Sequence, residues 1–195
     1  MTTPDWDERY IEQVWSGEPN HALLVEAADL APGRAVDVAC GEGADAVWLA
    51  EQGWQVTAVD LASAAVERGR AAAQRAGVPV EWVVAPLAEA GLEPGTYDLV
   101  SCFYPALPSD PGQGNARLLV ELVAPGGHLV LVHHVVDVEH ARAHGFDPAD
   151  YVGLDDVAGL LGDGWEVRRE VRERHVNGGG GAHHTHDDVL HARRV

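Results

Sequence analysis

Short apolar segments alternate with helical segments through the middle of the chain, and this alternation constrains the fold more than any other feature. The predicted strands cover residues 35–39, 55–59, 80–84, 98–103 and 128–132, and the predicted helices cover residues 44–52, 62–76 and 116–123. Strands that are apolar on both faces and are joined through helices form a parallel sheet with helices on both sides. We therefore predict a doubly wound, Rossmann-like α/β fold.

The two ends of the chain extend this pattern. Helices are predicted over residues 5–15 and 21–30, before the first strand, and over 154–161, after the fifth. Residues 165–176 and 185–194 predict two long strands, joined by the glycine run 178–181, that form an antiparallel hairpin at the sheet edge. Residues 137–150 are polar and lack apolar periodicity, which predicts a loop or lid. The sheet is thus expected to have seven strands, mostly parallel, with an antiparallel last strand.

We expect one domain over residues 1–195, because a chain of this length supports one full hydrophobic core. Within it, residues 1–31 are expected to form lid helices and residues 35–132 a cofactor-binding core. Residues 133–195 would supply the substrate-side region and the C-terminal hairpin.

The charge of the chain restricts its partners. It has 31 acidic residues against 13 basic ones, all of them arginine, and a formal net charge of −18. Such a surface repels phosphate backbones and anionic lipids, so neither a nucleic acid nor a membrane is expected as a partner. The N-terminus is polar rather than a signal sequence, and two cysteines do not make a disulfide framework. We expect a soluble, cytoplasmic protein that acts on a small molecule.

A glycine-containing loop follows the first predicted strand, and an acidic residue ends the second. Gly41 and Gly43 let the backbone approach a ligand closely, and the helix that follows offers free N–H groups. The carboxylate of Asp60 can accept hydrogen bonds from both hydroxyls of a ribose. This arrangement suits either a dinucleotide or S-adenosylmethionine (SAM). Asp37 inside the first strand, and the helices before that strand, favour SAM, but the loop and Asp60 alone leave both cofactors open.

Several segments resemble the motifs of class I SAM-dependent methyltransferases. Residues 35–43 (AVDVACGEG) resemble the first motif and residues 56–60 (VTAVD) the second, while 97–100 (YDLV) and 122–127 (LVAPGG) resemble those of the fourth and fifth strands. Residues 6–10 (WDERY) and 15–20 (WSGEPN) resemble the small tellurite-resistance and thiopurine-like methyltransferases. The resemblance covers nearly the whole chain and implies SAM as cofactor.

The resemblance also implies the cofactor contacts, residue by residue. The residues placed around the methionine part of SAM are Asp37, Ala39, Cys40, Gly41 and Gly43. Those placed around the ribose and adenine are Asp60, Leu61, Pro86 and Leu87, and those that would close over the site are Arg9, Tyr10 and Trp15. Cys102 and Phe103, which end the fourth strand, are expected beside the cofactor.

Two positions depart from the family pattern. Ala39 stands where the first motif has glycine, a small change in a loop that approaches the ligand closely. Pro86 stands where the third strand normally ends in an acid, and proline has neither a carboxylate nor an N–H. Adenine would then be contacted by backbone atoms such as the Leu87 N–H.

Methyl transfer needs a general base only if the acceptor arrives protonated. His133 and His134 end the fifth strand and are both candidates, since the reference imidazole pKa of about 6.5 suits the task; the alternative is a strand-end histidine bonded to the backbone. Tyr104 is expected to line the methyl-transfer site. His175, which follows Arg174, partly matches a late His-Arg pair of the tellurite-type relatives and is a further candidate.

Three other groups are interpreted as structural. His184 and His186 would share a strand face, but we predict no metal site and expect an exposed start of an edge strand. The arginines of the first hairpin strand, including Arg174, are predicted to be solvated. Cys40 and Cys102 are expected to be near neighbours that only pack, although a redox role or contact with a soft substrate is the alternative.

The sequence therefore predicts a SAM-dependent methyltransferase of a small molecule. A soft nucleophile, a thiol or a chalcogen oxyanion, is the leading acceptor, on the resemblance alone. O- or N-methylation of a small secondary metabolite is the alternative within the class. An NAD-dependent oxidoreductase and a SAM-binding module without catalysis are the alternatives outside it.

Overall fold

The computed structural model of the protein describes residues 14, 16–174 and 184–195. Its helices are α1 (His21–Glu26), α2 (Ala44–Glu51), α3 (Ser63–Ala76), α4 (Gly114–Leu122), α5 (Val138–Ala143) and α6 (Leu154–Ala158), with short 3₁₀ turns at Leu87–Glu89 and Pro148–Asp150. Its strands are β1 (Arg34–Val38), β2 (Gln55–Asp60), β3 (Val80–Val84), β4 (Tyr97–Phe103), β5 (Val123–His134), β6 (Trp165–Glu173) and β7 (His186–Arg194).

The strands form one seven-stranded sheet in the order β3-β2-β1-β4-β5-β7-β6. Strands β1 to β5 pair in parallel, and β7 pairs antiparallel with both β5 and β6. The strand order reverses between β1 and β4, where the carboxyl ends of neighbouring strands open a crevice. The predicted fold is confirmed, including the antiparallel last strand.

The sheet is apolar on both faces because β1 and β4 bury their side chains in alternation. Val36 and Val38 pack with α4 and α6 in one core, whereas Ala35 and Leu99 pack with α1 and α2 in the other. Burial on both faces explains why these strands are almost continuously apolar. No helix in the described ranges is long and apolar enough to span a bilayer.

The structure differs from the sequence-based prediction mainly on the substrate side. Residues 137–150, predicted as a loop or lid without regular structure, contain α5 and a 3₁₀ turn. The carboxylate of Asp137 accepts a hydrogen bond from the His140 N–H at 3.1 Å and begins α5. The fifth strand is longer than predicted and reaches from Val123 to His134. Apart from Val14, the predicted helix over residues 5–15 lies outside the described residues, and so does the glycine run 178–181.

Candidate active site

A large cavity opens at the carboxyl ends of the parallel strands. Its volume is about 1490 Å³, and residues that follow β1, β2, β3, β4 and β5 line it. It lies where the strand order reverses between β1 and β4, which is where open α/β sheets bind their ligands. Residues of α5 and of the 3₁₀ turn Pro148–Asp150 line the side away from the sheet.

The loop between β1 and α2 forms one wall of the cavity. Gly41 and Gly43 have φ of +53° and +76°, a left-handed conformation that favours glycine. A Cβ on Gly43 would lie 2.3 Å from the ring of Trp82, so packing requires this glycine as well. Asp60 holds the loop in place, because Oδ2 accepts from the Gly41 N–H and Oδ1 from the Ala62 N–H, both at 2.8 Å.

Two buried carboxylates lie behind this loop. Asp37 Oδ1 accepts a hydrogen bond from the Ser101 hydroxyl at 3.2 Å, while Oδ2 is buried and has no hydrogen-bond partner among the described residues. Burial, and then the charge of Asp45, raises the pKa of Asp37 well above its usual value. Burial also raises the pKa of Asp45, whose carboxylate accepts from the backbone and side-chain N–H groups of Asn20 at 2.7 Å each. This end of the cavity is therefore acidic and incompletely hydrogen-bonded.

The opposite end of the cavity contains a stack of three rings. The imidazole of His134 is stacked on the Tyr104 ring at 4.0 Å between centroids and on the His184 ring at 4.2 Å. A ring that stacks closely with two others lies between them. His134 Nδ1 is 3.1 Å from Oδ1 of Asp187, which is buried at the start of β7. The Nδ1–H therefore donates to this carboxylate, which fixes the orientation and the tautomer of the imidazole.

Arg174 and Tyr104 complete this polar group. The Tyr104 hydroxyl donates to Asp187 Oδ2 at 2.7 Å, and Arg174 Nε lies 3.3 Å from the same hydroxyl and 3.6 Å from that carboxylate oxygen. Burial, and then the Asp187 charge, raises the pKa of Tyr104, so the phenol stays protonated and acts as a donor. Tyr104 has φ of +50°, a left-handed conformation that is uncommon for non-glycine residues.

His133 also lines the cavity but is held differently. Its Nε2 lies 2.9 Å from the Val152 carbonyl oxygen, so the Nε2–H donates to the backbone. Burial lowers the pKa of His133 and keeps it neutral. This is the backbone-bonded strand-end histidine that the sequence left as the alternative to a base.

The comparisons with known proteins agree with this architecture. Residues 35–127 match the family described as a methyltransferase domain. A ubiquinone biosynthesis O-methyltransferase from Xanthomonas euvesicatoria pv. vesicatoria (strain 85-10) is 27% identical over 193 residues, which cover 80% of this chain and 81% of that relative. The chain is a class I SAM-dependent methyltransferase. This confirms the enzyme class that the motifs predicted.

Three solved structures share the fold of this methyltransferase. A protein from work on the conversion of a disulfide bond into a thioacetal group during echinomycin biosynthesis has a TM-score of 0.73 and 21% identity, with 97% of this chain and 90% of that chain covered. Magnesium protoporphyrin IX methyltransferase from Synechocystis PCC 6803 with bound SAH has a TM-score of 0.62, 22% identity and coverages of 89% and 79%. TehB from Haemophilus influenzae has a TM-score of 0.66, 13% identity and coverages of 89% and 62%. At these identities the likeness concerns the fold alone.

The structure brings most of the predicted site residues of the methyltransferase to one cavity. Those that line it on β1 and at the ends of β1 to β4 are Asp37, Ala39, Cys40, Gly41, Gly43, Asp60, Leu61, Pro86, Leu87 and Phe103. Those that line it after β4 and at the end of β5 are Tyr104, His133 and His134. The predicted residues Arg9, Tyr10, Trp15 and His175 lie outside the described residues.

Cys102 is the exception among the described site residues, because the structure places it away from the cavity in which the cofactor was expected. It is fully buried opposite Val38 in the core beneath α4 and α6, and it does not line the cavity. Cys40 packs into the core on the other face of the sheet. The two thiols therefore point to opposite sides, which removes the redox role. Burial raises the pKa of both thiols, so neither is a reactive thiolate.

The sequence interpretation missed the residues that hold His134. Arg174 was expected to be solvated, but only 5% of its side chain is exposed, and Asp187 was placed at an exposed strand start but is buried. The signal was the register of the hairpin, because an antiparallel β7 against β5 sets Asp187 opposite His134. The described residues contain no cluster of three or more potential metal ligands.

Proposed function

We propose that this methyltransferase transfers a methyl group from SAM to a hydroxyl oxygen of a small, planar molecule. The observation that carries the proposal is the His134–Asp187 pair at the end of the cavity opposite the glycine loop. An imidazole held by a buried carboxylate is the arrangement that enzymes use for a general base.

The acidic end of the cavity fits SAM. The cofactor carries a positive ammonium group and a positive sulfonium, and the carboxylates of Asp37, Asp45 and Asp60 lie at this end. The buried Oδ2 of Asp37, which lacks a partner among the described residues, suits an ammonium donor. The carboxylate of Asp60 ends β2 and lines this end of the cavity, and a carboxylate is a strong acceptor for the hydroxyls of a ribose.

A histidine base that is oriented by a carboxylate favours a hydroxyl acceptor over a soft nucleophile. A phenolic hydroxyl has a pKa of about 10, so at neutral pH its proton must be removed for rapid transfer. A chalcogen oxyanion already carries an available lone pair, and a thiol with a pKa of about 8.5 ionises more readily. The proposal therefore adopts the O-methylation alternative.

The ring walls of the cavity suit a flat acceptor. Tyr104, His134 and His184 form one stack, and Phe146 and Tyr151 form a second, with centroids 5.2 Å apart and an angle of 16° between the ring planes. All five line the cavity. The similar Xanthomonas protein is named as an O-methyltransferase of ubiquinone biosynthesis, which agrees with an acceptor of this kind.

Each side chain at this end of the cavity has its own role in the transfer. When bound, SAM supplies a methyl group on a sulfonium sulfur that leaves as a neutral thioether. His134 takes the acceptor's proton at Nε2 while its Nδ1–H remains bonded to Asp187, which stabilises the imidazolium. Tyr104 and Arg174 hold the Asp187 carboxylate in place. The stacked rings align the acceptor, which is the main contribution a protein makes to an in-line displacement.

The acceptor is tested by methyl-donor consumption over phenols, catechols, thiols, selenite and tellurite. We expect transfer to hydroxyl compounds, and we expect His134→Asn to lower kcat by about 10²–10⁴-fold with SAM affinity unchanged. Asp187→Asn should lower kcat as well, and both variants should change the acidic limb of the pH profile. His186→Asn is the matched control, since His186 is an exposed histidine next to Asp187 on β7. Transfer confined to thiols or tellurite, or an unchanged kcat in His134→Asn, would contradict the proposal.

The cofactor assignment has a separate test. Because Asp60 makes charge-assisted hydrogen bonds, Asp60→Asn should raise the SAM dissociation constant by about tenfold to a hundredfold. Asp60→Ala should also lower stability, since it removes both bonds that hold the loop. Asp98→Asn is the control, because Asp98 accepts from the Arg34 N–H at the opposite end of β1. Calorimetry that finds unchanged SAM binding in a folded Asp60→Asn variant would refute the role of Asp60.

A further inference from the structure

Strand β6 is a long, open edge of the sheet. It has nine residues, and within the described part of the chain it pairs with β7 alone. Nearly all of its residues are exposed, so its outer row of backbone N–H and C=O groups is available for pairing. Proteins usually shorten, cover or bend such an edge, because it is a template for another strand. An edge of this length that no described element covers points to a partner.

The side chains of β6 complement the same strand running in the opposite direction. We propose that two copies of the protein pair antiparallel through β6, with a two-fold axis at Arg169, and so form one continuous sheet. In that register Glu166 lies opposite Arg172 of the second copy, Val167 opposite Val171, and Arg168 opposite Glu170, and symmetry repeats each pair. Directly opposite residues lie on the same face and within contact distance.

Neighbouring registers are unfavourable. Moving the axis one residue towards the N-terminus places Glu166 opposite Glu170, and moving it one residue the other way places Arg168 opposite Arg172. Like charges that lie directly opposite each other destabilise a strand pair. The charges on β6 thus select one register and exclude its neighbours, which distinguishes a specific dimer from indiscriminate edge aggregation.

Arg169 is the only residue that meets its own copy at the axis. Its guanidinium donates to Asp188 at 2.7 Å through Nη2 and is also paired with Asp155. Two carboxylates therefore accompany this arginine in each chain, and they offset the repulsion between the two guanidinium groups. Arg169 also lines the active-site cavity, so the proposed interface adjoins the acceptor end of the site.

Two valines supply the apolar part of the interface. Val167 is 49% exposed and Val171 is 60% exposed, and both lie on the face of β6 that carries Arg169. Each would cover the other across the axis, and both would lose exposure to water. The pairing is isologous and uses the β6 edge of both chains, so it closes at two copies and does not continue into a filament.

Sedimentation velocity and light scattering over a micromolar concentration range test the oligomeric state. We expect the protein to have twice the 20.8 kDa mass of one chain. The double variant Val167→Lys/Val171→Lys should weaken the dimer by about 100-fold or more, because it replaces two apolar pairs with two like-charged ones. Val84→Lys is the control, since Val84 is 46% exposed on β3, the opposite edge of the sheet. Circular dichroism checks that each variant is folded.

A charge-swapped partner tests the register itself. Val167→Glu/Val171→Glu should also be monomeric, but an equimolar mixture of the lysine and glutamate variants should form heterodimers, because every altered pair becomes Lys opposite Glu. A monomeric wild-type protein, or a lysine variant that remains dimeric, would overturn the proposal. Failure of the mixture to associate would overturn the proposed register.

Discussion

Ala39 holds a backbone conformation that suits glycine. Its φ is +57°, at the position where the first methyltransferase motif has glycine. An L-residue in the left-handed region is destabilised because its Cβ approaches the neighbouring carbonyl oxygen, by about 1–2 kcal/mol. The same turn sets the position of Cys40 and Gly41 at the wall of the cavity. Strain is thus stored next to the cofactor end of the site.

Ala39→Gly should therefore stabilise the protein. The strain it removes exceeds the extra freedom that glycine gives the unfolded chain, so we expect a gain of about 0.5–1 kcal/mol in the free energy of unfolding. Ala72→Gly is the matched control, since Ala72 lies in the interior of α3 and should lose about 1 kcal/mol. Chemical denaturation measures both. A destabilised Ala39→Gly variant would show that the loop at residue 39 is not strained.

At the scale of elements, one carboxylate ties helix α1 to the hairpin. Glu26 is buried, and its carboxylate accepts from Arg168 at 2.6 Å and also from Arg172 and His191. His191 Nε2 in turn lies 2.8 Å from His128 Nδ1 on β5. These contacts connect α1, which precedes the sheet in sequence, to the last two strands of the chain. Residues next to α1 line the cavity, so the contacts of Glu26 also position one wall of the cavity.

The contacts of the Glu26 carboxylate predict a specific dependence of the free energy of unfolding on pH. Burial alone would raise the pKa of Glu26, but the hydrogen bonds from His191 and Arg172 outweigh it and lower the pKa from 4.5 to about 2. A lowered pKa in the folded state stabilises the protein at pH values above 4.5, and this contribution is lost as the pH falls towards 2. Glu26→Gln should cost about 3 kcal/mol at neutral pH, with the difference from wild type shrinking between pH 4.5 and 2.

The control for this prediction is Glu67→Gln, because Glu67 forms an exposed ion pair with Arg70. It should leave the free energy of unfolding unchanged at every pH. Thermal and urea unfolding measured across pH 2 to 7 would give both curves. An equal loss for Glu26→Gln at pH 2.5 and pH 7 would contradict the role of the Glu26 charge.

The elements also show which parts of the fold the sequence determines locally. The strands from β1 to β4 are short and mostly apolar and have glycine or proline close to their ends, and each was predicted to within a residue or two. Helix α5 was missed because it has only six residues and none of them is buried, so it has no apolar period to detect. Its start depends on the Asp137 side chain, a signal that also occurs in loops.

At the scale of the whole molecule, the two ends of the cavity differ in how far the sequence could predict them. The cofactor end is formed by short continuous segments after β1 and β2, so residue spacing alone places Gly41, Gly43 and Asp60 together. The acceptor end joins Tyr104, His134 and Asp187 from three distant elements. Their meeting depends on the register between β5 and β7, which follows from the packing of the whole sheet.

The N-terminal segment gives the last prediction. Residues 1–31 are predicted to form lid helices, with Arg9, Tyr10 and Trp15 closing over the site. Of these residues, helix α1 packs into the core. The described Val14 lies beside the cavity wall, since its N–H donates to Glu42 Oε1 at 3.1 Å and its side chain packs near Ala62 and Ala65. Glu42 lines the cavity, and so do residues 16–21. Among the described residues, every member of the two large cores follows residue 20, so we expect removal of residues 1–15 to change the melting temperature little.

We expect this truncation to raise the SAM dissociation constant by about tenfold or more and to lower turnover, since lid segments contribute to ligand retention more than to global stability. Calorimetry with SAM and thermal unfolding of the same preparation measure the two quantities. Full-length Tyr10→Ala/Trp15→Ala is the companion variant, and it should reproduce much of the loss of affinity if the aromatic side chains cover the cofactor. If the truncated chain unfolds outright, the segment is part of the core and the lid interpretation is wrong.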